Sequence, residues 1–281
     1  MTQHRFGGMW TQDKLGVLQK YLGFYTQALK AQPFELVYID AFAGTGRCRI
    51  KTGRGQSETI DGSATIALNC APAFSRYHFI EKKPKHVLEL RALLATHANG
   101  GRAMLEPGRA EDALPGILGR YNWRRTRGVL FLDPYGLQCT WQTLERIRET
   151  AALDVFFLVS LSGLYRQAAV DEKAIDEGKA ARLTAFLGTD AWRTALYTNE
   201  QFDFFDGSTV TRYPGYQDIL RFTTERLRSL FPRVEEPLLL RQGNGKGAPL
   251  FALYFAVANP HRAAVDLAGR VARNILSKLR C

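Results

Sequence analysis

The chain is poor in cysteine, and what it has is scattered. Cys48, Cys70, Cys139 and Cys281 are spread over 281 residues with no Cys-x-x-Cys step, so no zinc or iron–sulfur site is expected in this chain and the thiols read as buried or bystander groups. No stretch approaches the roughly 20 apolar residues that a membrane helix needs. The opening residues Met1-Thr2-Gln3-His4-Arg5 lack the apolar core of a signal peptide, so a cytoplasmic location and no membrane association are expected. Repeats and low-complexity tracts are also missing. Acid is in short supply, with 27 Asp and Glu against 38 Lys and Arg, a formal net charge of +11.

That surplus points to a polyanionic partner. Its carriers cluster at Arg47, Arg49, Lys51 and Arg54, at Lys82, Lys83 and Lys85, and at Arg124, Arg125 and Arg127. Each cluster fits either a solvated loop or phosphate contact.

Apolar spacing sets the organisation. Leu15, Leu18, Leu22, Tyr25 and Leu29 recur at helical intervals after Thr11, a capping hydroxyl. Phe34 to Asp40 then reads as the first strand. A basic, glycine-containing loop spans Arg47 to Ile60, and a helix starts near Ser63. Further strands are expected at Tyr77–Glu81, Ala103–Glu106, Gly128–Asp133 and Val155–Val159, with helices after Pro84 and over Trp141–Thr150. Residues 162–235 lack strong strand signals and read as a helical cap inserted in a single domain of residues 1–281. Pro237–Arg241 and Pro249–Val257 flank the glycine-rich Gly243–Gly247, a hairpin signature. A last helix spans His261 to Lys278, with Val265, Leu267, Val271 and Leu276 as its apolar residues. Strand–helix alternation implies an α/β, Rossmann-like, mostly parallel sheet covered on both faces and closed by a C-terminal antiparallel hairpin.

Such sheets bind ligands beyond the carboxyl ends of their strands. At the first strand's end stand Asp40, Phe42, Ala43, Gly44 and Gly46, where the glycines let the backbone turn sharply without a side chain blocking a ligand. Glu81 closes the second strand, where an acid can accept from both ribose hydroxyls of an adenosyl group. Glu111 and Asp112 are both candidates for an adenine contact. Asp133, Pro134 and Tyr135 combine an acceptor carboxylate, a carbonyl on a residue with no competing N–H, and a stacking ring. Tyr165 and Arg166 open the cap and would complete a substrate pocket together with the basic loop.

The chain resembles the three-Cys-motif partner proteins, a bacterial family with a class I methyltransferase-like fold. The resemblance rests on Trp10–Leu15, Tyr38–Gly46, Asp61–Ala64, Phe131–Gly136 and Leu253–Ala256 and runs nearly end to end. It implies S-adenosylmethionine as cofactor and a protein partner that carries the three-cysteine motif, of iron–sulfur, radical type. The family's Gly-Asp-Ala step stands here as Gly108-Arg109-Ala110. Asp133-Pro134-Tyr135-Gly136 resembles the Asp-Pro-Pro-Tyr loop of adenine amino-methyltransferases, one proline short. The reading that follows is methyl transfer to an exocyclic amine of a nucleic acid, with Asp133 and Pro134 orienting the amine and Tyr135 stacking the base. The alternative is a cofactor-binding scaffold for the iron–sulfur partner.

Overall fold

The computed structural model describes residues 9–51, 56–168, 175–197, 200–202, 209–211, 215–241 and 247–278. Helix α1 (Met9–Leu29) buries Leu15, Leu18, Tyr21, Leu22 and Tyr25. It is already formed at Met9, so Thr11 lies inside the first turn and is buried, and it is not the helix cap that its hydroxyl suggests. Strand β1 (Glu35–Asp40) follows. The basic loop expected from Arg47 to Ile60 is instead an antiparallel pair, β2 (Arg47–Lys51) and β3 (Ser57–Asp61). Its physical reason is the two-residue alternation in β2: Arg47 and Arg49 point out while Ile50 is buried and Cys48 half-buried.

Next come α2 (Ser63–Leu68), β4 (Arg76–Glu81), α3 (Pro84–Thr96), β5 (Ala103–Pro107), α4 (Ala110–Gly119), β6 (Thr126–Leu132), α5 (Trp141–Glu149) and β7 (Leu153–Ser160). Pro84 starts α3, where its missing N–H costs no helical bond. Within 162–235 the described residues form α6 (Leu161–Gln167), α7 (Glu177–Leu187), α8 (Trp192–Tyr197), a short antiparallel pair β8 (Glu200–Phe202) and β9 (Thr209–Thr211), α9 (Tyr216–Leu230) and β10 (Arg233–Val234). The chain continues through β11 (Leu238–Arg241), β12 (Pro249–Val257) and α10 (Arg262–Ser277).

The main sheet runs β10-β12-β7-β6-β1-β4-β5, with β11 also paired to β12. Strands β5, β4, β1, β6 and β7 are parallel, and β12 is antiparallel to β7, to β10 and to β11. This is a Rossmann-like α/β fold with a mostly parallel, mixed sheet. The expected hairpin exists, but its second strand β12 is inserted between β7 and the outer β10 and β11.

Helices cover both faces, so the strands bury both sets of alternating side chains. Val37, Ile39, Leu130 and Leu132 enter one core with α4 to α9, and Tyr38, Val129 and Phe131 enter the other with α1, α2 and α10. On α10 the buried stripe is Ala268, Ala272 and Leu276, four residues apart. Leu267 falls outside it and is 43% exposed, contrary to the sequence expectation. Because the chain moves from β1 out to β4 and β5 and then returns to β6, the order reverses at β1. The crevice at such a switch point lies beyond the strand ends of β1, β4, β5 and β6.

Candidate functional site

A cleft of about 220 Å³ occupies that crevice. The loops after β1, β4, β5 and β6 frame it with Phe42 and Gly44, Glu81 to Lys83, Gly108 to Glu111, and Asp133 and Tyr135. Residues more than ninety positions apart, such as Phe42 and Tyr135, meet there because parallel strands end together.

Gly44 has φ +63° and a clear space where a Cβ would stand. That conformation favours glycine, and the space leaves backbone open to a ligand. Asp40 does not face the cleft. Its carboxylate is fully buried below the turn, accepting from the Phe42 N–H at 3.2 Å and the Tyr38 hydroxyl at 3.3 Å. Burial pushes its pKa up to about 7 despite those donors. Gly46 is also turned inward against Leu93 and Thr65, with Gly62 packed on its carbonyl carbon, and Ala43 is buried while its N–H donates to the Ile80 carbonyl at 2.9 Å. Asp40, Ala43 and Gly46 thus build the loop from behind, while Phe42 and Gly44 face the cleft.

Glu81 is buried and lines the cleft, and its carboxylate joins two loops. Oε2 accepts from the Gly44 N–H at 3.0 Å and Oε1 from the Lys83 N–H at 2.7 Å, with His86 Nδ1 at 3.6 Å from Oε2. A carboxylate offers about four acceptor sites, so two donors leave room for hydroxyls. Glu111 lines the cleft, ion-paired to Arg109 Nε at 2.7 Å. Asp112 is exposed on α4, away from it.

Strand β6 stops at Leu132, and Asp133 and the 62% exposed Tyr135 enter the cleft while Pro134 is buried. Asp133 carries a partner that the sequence reading did not assign. Lys14 Nζ, on α1, is ion-paired to its Oδ2, and the ammonium is almost wholly buried near the rings of Trp10 (5.4 Å) and Phe131 (6.0 Å). Two residues 119 positions apart cannot be matched from local pattern. Their one signal was Trp10–Leu15 as a segment of the family resemblance.

Arg47 and Arg49 are exposed on β2 beside the glycine turn, and neither lines the cleft. Lys51 ends β2 with its side chain outside the description, and Arg54 lies outside the described residues. Tyr165 and Arg166 are exposed on α6 and also stay out of the cleft, although this helix begins next to the loop, with a Cβ at Gly163 reaching 3.9 Å from Gly136. Lys82, Lys83, His86, Arg109 and Gln138 do line the cleft. Of these, Lys82 and Lys83 were visible in the sequence only as a charge cluster.

No protein-family model matches the chain, and no curated protein matches it. Among solved structures, the chain is similar to a Legionella pneumophila str. Philadelphia 1 protein, LPL1258 of family-model DUF519. The two are 11% identical over 96% of this chain and 93% of that one, with a TM-score of 0.54, a likeness of fold. An O-methyltransferase from Bacillus cereus in complex with SAH is 15% identical over 85% of this chain and 80% of its own, with a TM-score of 0.40. The cofactor-bound Rv0187 from MTB is 16% identical over 85% and 79%, with a TM-score of 0.42.

Proposed function

We propose that this chain transfers the methyl group of S-adenosylmethionine to an exocyclic amine of a nucleic acid. The observation that carries the reading is the convergence of Gly44, Glu81, Asp133 and Tyr135 on one cleft at the switch point.

The residues present fit such a cofactor. The open face of Gly44 accepts close approach, and Glu81 keeps acceptor sites for ribose hydroxyls. The cleft, at about 220 Å³, is below the roughly 300–1,000 Å³ of ordinary ligand pockets, so a nucleoside-sized ligand would fill it and extend past it. When bound, the cofactor supplies an already activated methyl group. Alignment is then what the chain must add. Asp133 accepts from the amine N–H through the oxygen that its ion pair with Lys14 leaves. Tyr135, exposed at the rim, offers a ring face to the base. Lys82 and Lys83 beside the cleft, with Arg47 and Arg49 on β2, supply positive charge for phosphates.

One observation favours a second reading, the non-catalytic scaffold for a three-Cys-motif, iron–sulfur partner: the best amine acceptor already holds a buried ammonium. Incubating the protein, alone and with that partner, with radiolabelled S-adenosylmethionine and separate pools of DNA, RNA and protein tests both. Label in nucleic acid supports the first reading. Label only in protein overturns the substrate class, and no label under any pairing favours the scaffold.

A further inference from the structure

A second, larger cavity of about 500 Å³ lies at the opposite end of the strands, where β6 and β7 begin, between the last turns of α1 and the first turns of α10. Its size falls within the roughly 300–1,000 Å³ of small-molecule sites. Tyr21, Phe24, Tyr25 and Phe34 give it aromatic walls, and Asp154 and Arg127 line it with opposite charge. Asp154 is the second residue of β7, a strand buried along its whole length whose other residues from Leu153 to Val159 are apolar. The Tyr21 hydroxyl donates to its Oδ2 at 2.6 Å, and among the described residues no hydrogen bond reaches Oδ1. The Arg127 guanidinium carbon sits over the Phe34 ring, 4.2 Å from its centroid, and its Nη1 donates to the Trp123 and Thr126 carbonyls at 2.7 and 2.8 Å.

We propose that this cavity binds a small neutral heteroaromatic molecule bearing a ring N–H next to a carbonyl, the lactam edge found in oxopurines, pyrimidinediones and pterins. The charges select for neutrality. An organic cation would gain from Asp154 and lose to Arg127, an anion the reverse, and a neutral donor–acceptor edge gains from both. The rings select for a flat body, since stacking on aromatic faces is tolerant of ring type. An acid buried at the start of a core strand is costly unless donors satisfy it, and Tyr21 serves only one of its oxygens. The ligand N–H serves the other.

Burial raises the Asp154 pKa to about 7, against the Tyr21 hydrogen bond and Arg127. Tyr21 and Tyr25 from α1, Arg127 from β6 and His261 before α10 are the titratable groups that line the cavity with it, beside the neutral Gln32 and Asn259. The ionised carboxylate is the better acceptor, so affinity for an N–H donor rises as pH passes upward through that value.

Titration calorimetry of the full chain with guanosine, uridine and pterin is the direct test, with 1-methylguanosine, benzylammonium and benzoate as controls. At least one lactam is expected to bind with a Kd at or below about 1 mM, more tightly at pH 8 than at pH 6. Asp154→Asn keeps an acceptor for Tyr21 but loses the charge, and should weaken binding at least about tenfold. Ala264→Phe, from the partly exposed face of α10, should fill the cavity and abolish binding even if Asp154→Asn does not fold. 1-Methylguanosine, which lacks the N–H, should bind no better than Asp154→Asn binds guanosine. Absence of heat with all three lactams overturns the proposal. So does tighter binding of benzylammonium or benzoate, lactam binding indifferent to both variants, or displacement of the lactam by S-adenosylhomocysteine, which would place it in the other cleft.

Discussion

Replacing Asp40 by asparagine should make the protein more stable in mild base and change little in acid. Its carboxyl is fully buried under the glycine turn, and its pKa stands at about 7 in the folded chain against 3.8 ordinarily. For an acid raised in this way, the folded state holds a proton that the unfolded state gives up. Native stability is therefore full below pH 3.8 and falls as pH rises through the folded value. At about 1.4 kcal/mol per decade, the loss reaches about 4 kcal/mol at pH 8, of which roughly 2 to 3 kcal/mol develops between pH 5 and pH 8. Asparagine keeps an oxygen for the Phe42 N–H and never ionises. The stability of Asp40→Asn minus that of wild type should thus grow by roughly 2 to 3 kcal/mol from pH 5 to pH 8, about 3 to 5 °C in Tm for a chain of this size. Urea titrations followed by circular dichroism at the two pH values measure the difference. A gap independent of pH would show that Asp40 does not titrate in this window, and the burial argument would fail.

Gly44→Val should abolish calorimetric binding of S-adenosylmethionine and S-adenosylhomocysteine, since the branched chain both strains φ +63° and fills the open face; binding equal to wild type would remove the loop from the site. Asp133→Ala should keep cofactor affinity within several-fold while lowering methyl transfer at least about a hundredfold, as loss of an alignment contact does, and an unchanged rate of transfer would end its assigned role. The Arg47→Ala, Arg49→Ala double variant should weaken nucleic-acid binding and lower the slope of log affinity against log salt by about 1 to 2. A slope that stays put would show that β2 makes no phosphate contact.

The parallel core was readable because its runs are long, apolar and stop at acids or proline: Val37 to Asp40 and Val129 to Pro134 declare strand and edge together. The β2–β3 pair was also written in the sequence, as the alternation Arg47, Cys48, Arg49, Ile50, but its charge and the nearby glycines read as loop. Position within the site was less legible. Asp40 and Glu81 are both acids that close a strand, yet one is sealed under its turn while the other lines the cleft. One-dimensional pattern does not distinguish a carboxylate that holds a loop from one that meets a ligand. Lys14 with Asp133, and Tyr21 with Asp154, depend on where α1 crosses the sheet, which packing fixes and local spacing does not.

Strand β12 lies between β7 and the outer β10 and β11, yet it is the last strand of the chain among the described residues. On the ribosome, β7 is complete long before its neighbour emerges, so a row of unpaired amides flanked by Phe156, Phe157 and Val159 waits without its partner. Chain emergence at about 5–20 residues per second makes that interval several seconds long. The sheet cannot close progressively from its N-terminal end, and nascent chains stalled before Pro249 should be clients of holding chaperones. A release of that dependence should coincide with the exit of Val257, when β12 slots in and the open edge of β7 disappears.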